Sequence, residues 1–314
     1  MTTSGSIDYN QTRDQIITDA LMLLGVYGAN DTVAANDITF CAAQLNKMIK
    51  SWQGRGLHLW KEEEGTLVLE DGVNTYTLAT SSSNYAGKDA VETYLTASSG
   101  GGGTLTVNST VGMNANDTVI VELDDGTVDA TTISSVGSST TINVSPSVGT
   151  AASGNTVVVY TTPVGRPLQI LNARYKYAQG TERRLKVMGR TQFMSLSNKD
   201  AEGPCTAFFY TPQLTEGVMY VYPTPSSTGD TIKFSYVEAF QDFDASGDNP
   251  DFPQEWLECL TKNLAVTVAP AYGISISSSM PDLGVEARTL LDELSMNDFE
   301  SGSSYIVPNY RYDN

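Results

Sequence analysis

The feature that most limits how this chain can fold is a change of hydrophobic period, helical at both ends and alternating in between. Near the start, Ile16, Ile17, Ala20, Leu21, Leu23 and Leu24 recur at the spacing that lines one face of a helix. They predict a helix over 10–26, closed by Gly25 and Gly28. After a polar connection, Phe40, Cys41, Leu45, Met48, Ile49 and Trp52 predict a second helix from near Asn36, stopped by Gly54-Arg55-Gly56. These stripes read as core.

The period then becomes two. Runs 66–69 and 73–78 flank Asp71-Gly72 and predict a β-hairpin. From 86 to 160 the chain is rich in Gly, Ser, Thr and Val, with strands expected at 104–107, 118–121 and 155–160. Turns at Asp124-Asp125-Gly126 and Gly137-Ser138-Ser139 separate further short runs. This stretch reads as a small module inserted into a host domain. Strands are expected again at 207–210, 218–223 and 231–236. Helical spacing returns with Trp256, Leu257, Leu260, Leu264 and Val268, where Asp251 is the expected cap and Pro253 stands in the first turn. A last helix is expected over 281–299.

These elements predict an α+β fold: a discontinuous N- and C-terminal helical bundle with a β-rich middle region and an inserted small β module. The expected domains are 1–61 plus 250–300, a helical core; 62–85 plus 161–249, β-rich; 86–160, the inserted module; and 301–314, an extended C-terminal arm.

Charge narrows the function. With 18 basic and 36 acidic residues the formal charge is −18, which argues against a surface that wraps DNA. A wall that DNA slides past remains compatible, because repulsion prevents sticking. No apolar run approaches the length of a membrane span, and the first six residues show no signal-peptide pattern, so no membrane association is expected. The three cysteines, Cys41, Cys205 and Cys259, are scattered and odd in number, as expected of buried reduced thiols made in a cytoplasm.

Catalytic chemistry finds little support. The sole histidine, His58, has no nucleophile-elbow motif with it, and the cysteines are too far apart in sequence for a zinc-ligand pattern. Glu62-Glu63-Glu64 and Asp124-Asp125 alternate across strand faces and read as solvated surface. Gly54-Arg55-Gly56 follows a helix rather than opening one, so it is no phosphate loop. The chain is expected to be no enzyme, with no catalytic residue, cofactor or metal.

The local anomaly is basic. Eight of the 18 basic residues fall between 163 and 199, with Tyr175 and Tyr177 alternating with Arg174 and Lys176. Between 62 and 165, Lys88 is the only basic residue against twelve acidic ones. Three readings stand open: contact with an acidic patch on an identical neighbour, plain structural use, or DNA contact. On the first, Arg174, Lys176, Arg183 and Arg184 form a subunit interface.

Three stretches of the helical segments carry a resemblance. Residues 12–26 (TRDQIITDALMLLGV) and 43–56 (AQLNKMIKSWQGRG) resemble the opening of phage head-tail adaptor proteins, also called connector or packaged-DNA stabilisation proteins. In that family a helix with alanine, three residues, then leucine-glycine precedes a helix ending in tryptophan and glycine. Residues 260–273 (LTKNLAVTVAPAYG) look like the family's later landmark, asparagine-leucine-alanine followed by alanine-proline-x-tyrosine. The resemblance covers roughly a third of the chain and implies a helical-bundle core and a ring, normally of twelve subunits, between the portal and the tail tube or nozzle.

It also implies a C-terminal segment that docks onto the portal, here Tyr305, Ile306, Pro308, Tyr310 and Tyr312. The implied partners are the portal protein, the tail nozzle or tail tube protein, further copies of itself and tail fibres. Genomic DNA would pass through the channel without specific binding. The location implied is the head-tail junction of a virion, after synthesis in the bacterial host cytoplasm. The β material over 62–250 departs from the smallest members. The rival reading is a carbohydrate- or receptor-binding tail protein with its sugar site on the inserted module, where Tyr85 and Tyr94 are the only aromatics between Tyr76 and Tyr160.

Overall fold

A computed structural model describes residues 5–6, 8–57, 61–80, 85–178 and 180–297. The chain divides into two units, Met1–Trp60 with Phe240–Asn314, and Lys61–Ala239. Six helices lie among the described residues: α1 (Arg13–Leu23), α2 (Ala35–Gly54), α3 (Arg190–Met194), α4 (Leu257–Val268), α5 (Ile276–Ser279) and α6 (Pro281–Asn297). All but α3 belong to the first unit.

In that unit α1 begins at Arg13 because Thr12 caps it. The Thr12 hydroxyl accepts from the Gln15 amide, and the Gln15 side chain accepts from the Thr12 amide at 2.8 Å. Ile16, Ile17 and Leu21 of α1 join Leu45, Ile49 and Trp52 of α2 and Leu260, Leu264 and Val268 of α4 in one buried core. Phe240 and Phe243 belong to it too, so the unit resumes ten residues before the expected boundary at 250. Asp251 does not cap α4. It accepts from the Gln241 amide at 3.3 Å, and Pro253 leads into a 3₁₀ turn, Gln254–Trp256, ahead of α4.

The second unit is built of strands. The chain opens it with β1 (Glu62–Val68), β2 (Thr75–Leu78) and β3 (Ala86–Lys88). There follow β4 (Val91–Tyr94), β5 (Ser99–Gly100), β6 (Thr104–Thr106), β7 (Thr118–Glu122), β8 (Val128–Ser138), β9 (Thr141–Ser145), β10 (Thr150–Ala151) and β11 (Thr156–Tyr160). The remainder are β12 (Thr162–Pro163), β13 (Gln169–Lys176), β14 (Glu182–Arg184), β15 (Lys186–Val187), β16 (Ala207–Pro212), β17 (Gly217–Tyr222) and β18 (Thr231–Val237).

Two host sheets, in the orders β12-β3-β1-β18-β13-β14 and β15-β16-β17-β2, enclose a core that includes Leu67, Phe208, Met219, Ile232 and Tyr236. The intervening segment makes its own six-stranded sheet, β4-β11-β7-β8-β9-β6, and a short β10-β5 pair. Its interior, with Leu105, Val121, Ile133, Ile142 and Val157, is separate from the host core. The opposite face presents Ile120 and Val158 to Val68 of the host. Its first and last strands pair with each other, Val91 against Val159, so this segment leaves and rejoins the host at one point.

Two expectations are corrected. The α+β fold framed by an N- and C-terminal helical bundle does not hold: strand exceeds helix, 32% against 27%, and one sheet curls into a half-barrel. The dominant mass is the β material of 61–239, which buries two sizeable cores of its own. Nor do β1 and β2 form a hairpin. β1 pairs with β18 and β3, whereas β2 pairs with β17 in the other host sheet. Asp71-Gly72 is therefore a corner between sheets, with Gly72 at φ +73°. The Tyr76 hydroxyl fixes it, accepting from the Glu70 amide and donating to the Val73 carbonyl, both at 3.0 Å.

Candidate functional site

Alternation along β13 sorts the basic stretch. Ala173 and Tyr175 point into the host core, while Asn172, Arg174 and Lys176 take the other face. Tyr175 is buried and its hydroxyl donates to Asp230, so its ring is unavailable for stacking on a base. Tyr177 is half-buried and packs edge-on against Tyr175, ring centroids 4.8 Å apart.

The four cations expected to act together separate. Arg183 lies opposite Tyr175, its guanidinium 5.9 Å from that ring, and donates to the Cys205 carbonyl at 2.6 Å and the Pro204 carbonyl at 3.2 Å. Lys176 is taken by Glu92 of β4, which is also 3.0 Å from Lys233 of β18. Both lysines thereby tie the inserted module to the host sheet. Arg174 and Arg184 stay on the open face.

There they meet a residue that sequence reasoning missed. Register sets Arg184 opposite Arg174 and Arg174 opposite Lys233, so three cations form a row across β14, β13 and β18. Alternation along 231–236 tells which face Lys233 takes. Only the pairing of β18 with β13 tells what stands beside it. Directly opposed positions bring Cβ atoms to about 4.5–5.5 Å, where like charges repel. Glu182 relieves Arg174 only at 3.5 Å, and Arg174 remains 60% exposed.

Arg174 and Lys233 of the row line a groove of 440 Å³. Asn172 and Ser235 line its floor, and Glu64 and Asp89 stand on the side away from Arg184. The Ser235 hydroxyl is buried with no hydrogen-bond partner. Its charged lining is Arg174 and Lys233 with Glu64, Asp89 and Glu182, so carboxylates flank the two cations on both sides and outnumber them. It is suited to binding, and no nucleophile paired with a base lines it.

A second charged surface lies where the β7–β8 turn meets the host. Glu70, Asp71, Glu122, Asp124 and Asp125 gather there, and none has an ion-pair partner among the described residues. Burial foremost, then the neighbouring Asp230 and Asp124, holds the Glu122 carboxyl above the usual range. Glu70 is raised in the same way by burial and by Asp125.

The cysteines are all buried and unpaired. Burial pushes the Cys205 and Cys259 thiols up to about 12, which suppresses the nucleophilic thiolate at neutral pH. Among the described residues no group of three His, Cys, Asp or Glu side chains is placed to hold a metal, and no helix is long and apolar enough to cross a membrane. On the inserted module Tyr94 is exposed, with no ring against it among the described residues, and Tyr85 packs against the host core. The aromatic stack of the unit lies elsewhere, where Phe193 of α3 covers Phe209 and Tyr220. His58 and the expected docking arm, Tyr305, Ile306, Pro308, Tyr310 and Tyr312, lie outside the described residues.

No family model and no curated protein matches the chain. Among solved structures, VP17, a capsid protein of bacteriophage P23-77, is similar at 11% identity and a TM-score of 0.16, over 57% of this chain and 72% of that one. A likeness at that score carries no functional argument.

Proposed function

We propose that the chain is a non-enzymatic structural protein of a tailed-phage virion, a head-to-tail adaptor whose copies form a ring at the portal. One observation carries this reading. The blocks that resemble the adaptor family, from opposite ends of the sequence, supply one buried core, with Ala20 and Leu24, then Trp52, then Leu264 and Ala265 all in it. Tyr272, from the later block, donates to Asp37 in the first turn of α2 at 3.0 Å.

On this reading the chain works through binding spread over many repeated contacts. It joins portal to tail nozzle or tail tube, and its acidic surface lets DNA pass without adhering. The tail, including Tyr305, Pro308, Tyr310 and Tyr312, docks onto the portal, where aromatic anchors supply most of the binding energy.

The test is negative-stain imaging of the purified protein, alone and mixed with the portal of the same phage. Rings seated on the portal are expected, and a chain lacking 302–314 is expected to lose attachment while keeping its folded spectrum. A well-behaved protein that ignores an intact portal moves the assignment to a tail or receptor-binding role.

A further inference from the structure

Leu23 and Tyr9 of the helical unit stay open to solvent, 44% and 66% exposed, and both line one groove of 570 Å³ between α1 and α4. Met22 and Leu257 extend its apolar lining, and Asp19 and Lys262 stand among its polar residues. Apolar side chains that converge on a trough in this way mark a surface that gains by being covered.

The course of α6 says what lies within reach. Just past α4, the Ile274 amide donates to the Ala269 carbonyl, and a Cβ on Gly284 would lie 2.7 Å from Ile276, so α6 starts at the C-terminal end of α4. Asn263 of α4 then donates to the Ala287 carbonyl at 2.9 Å, and Lys262 reaches Glu286 at 2.7 Å. α6 therefore runs back along α4. From Ala287 to its last residue, Asn297, it rises about 15 Å, whereas α4 rises only about 9 Å from Asn263 back to Leu257. The chain thus leaves α6 beside the α4 wall of the groove. Extended, residues 298–305 span at most about 28 Å, enough to carry Tyr305 to any part of it.

We propose that this groove receives residues 305–312 of the same chain, with Ile306 against Leu23 and Arg311 beside Asp19. The segment matches the site in character. Between 302 and 312 it holds Tyr305, Ile306, Val307, Tyr310 and Tyr312, no acidic residue and one cation, Arg311. Asp19 accepts from the Gln11 side chain at 2.8 Å and has no cation within ion-pair distance among the described residues. Pro308 limits the backbone freedom that docking must remove. The contact deepens the portal-arm reading and rests on it for its consequence: the tail is held on its own body until the portal displaces it.

The experiment uses the full-length protein, first without portal. Leu23→Cys is paired with Ile306→Cys, and disulfide closure under mild oxidation is followed by mass, the native thiols being buried. Val285→Cys, exposed on α6 outside the groove, replaces Leu23→Cys in the control pair. Closure within one chain is expected to run about 10-fold faster for the groove pair. Equal rates overturn the proposal, because the tail then ranges over the whole surface. A covalent dimer in place of the closed monomer overturns it too, since the groove then holds the tail of a second copy.

A second variant, Leu23→Asp, is checked for folding by circular dichroism and exposed to chymotrypsin. Cleavage after Tyr305 is expected to be about 10-fold faster than in wild type, and an unchanged rate refutes the docked tail. With portal added, the closed disulfide is expected to block attachment until it is reduced. Closure in a protein whose portal attachment survives deletion of 302–314 leaves the groove contact standing and removes the arm reading. Attachment lost on that deletion, with no preferential closure, does the opposite.

Discussion

Asp37 accepts hydrogen bonds from Tyr27 and Tyr272, one tyrosine from each end of the chain, and sits in the first turn of α2, where a negative charge is favoured. Replacing it by alanine is expected to destabilise the helical unit by about 1–3 kcal/mol, read as a lower denaturation midpoint. An unchanged midpoint would mean that the two hydroxyls find water equally well. Gly87 is constrained sterically, since a Cβ there would lie 2.1 Å from the Tyr160 ring. Gly87→Ala is expected to cost about 1–3 kcal/mol by overpacking, measurable in the same titration. Glu122 gives a pH prediction. Its folded carboxyl binds the proton better than an unfolded one, so its contribution is present in acid and lost as pH rises through the raised value. Glu122→Gln, which keeps an acceptor for the Thr156 amide, is expected to melt above wild type at neutral pH. The gap should close below the ordinary carboxylate value of 4.5, and a gap that persists in acid would point to packing instead.

Elements were legible where local pattern and partner coincide. The stripes of α1, α2 and α4 mark both the helices and most of the residues that share a core, because a helix buries one face whatever it packs against; Leu23 and Phe40, expected in the core, are exposed at the edges of those faces. The Thr12–Gln15 capping box shows the same locality, and Thr12→Ala is expected to lose about 1 kcal/mol with fraying confined to α1, visible in amide exchange. Sheets obey no such rule, since their hydrogen bonds go to strands that the local sequence does not name. That is why the turn at Asp71-Gly72 looked like a hairpin and proved a corner. β8, at 11 residues, reads in sequence only as short runs because Ser134, Ser135 and Gly137 interrupt its alternation near two register shifts. The cationic row was half legible, as the face of Arg174 follows from alternation and its neighbours Arg184 and Lys233 do not. The segment from β4 to β11 has its own core, and residues 90–161 expressed alone are expected to unfold cooperatively on heating. A gradual melt would show that it depends on Val68 and its neighbours for support.

For the whole molecule, charge decides between attraction and dispersal. A chain of net −18 repels its copies at long range, so any head-to-tail contact must act at close quarters through opposed patches. Salt is therefore expected to have two effects on self-association. It weakens any contact between opposed charged patches and also screens the general repulsion, which at physiological strength already fades over ~8 Å. Dissociation is expected to show a minimum at intermediate salt, and a steady rise from the lowest salt upward would mean that the local contact alone governs assembly. One consequence follows from the meeting of Val91 with Val159. Because the sheet itself holds those two points together, turns of the loop remote from Val68 and Thr228 can change length without parting the host's two ends. A fluorescent reporter or an affinity handle could be grafted on the far turns of that loop, and the host would fold around the same closed stem.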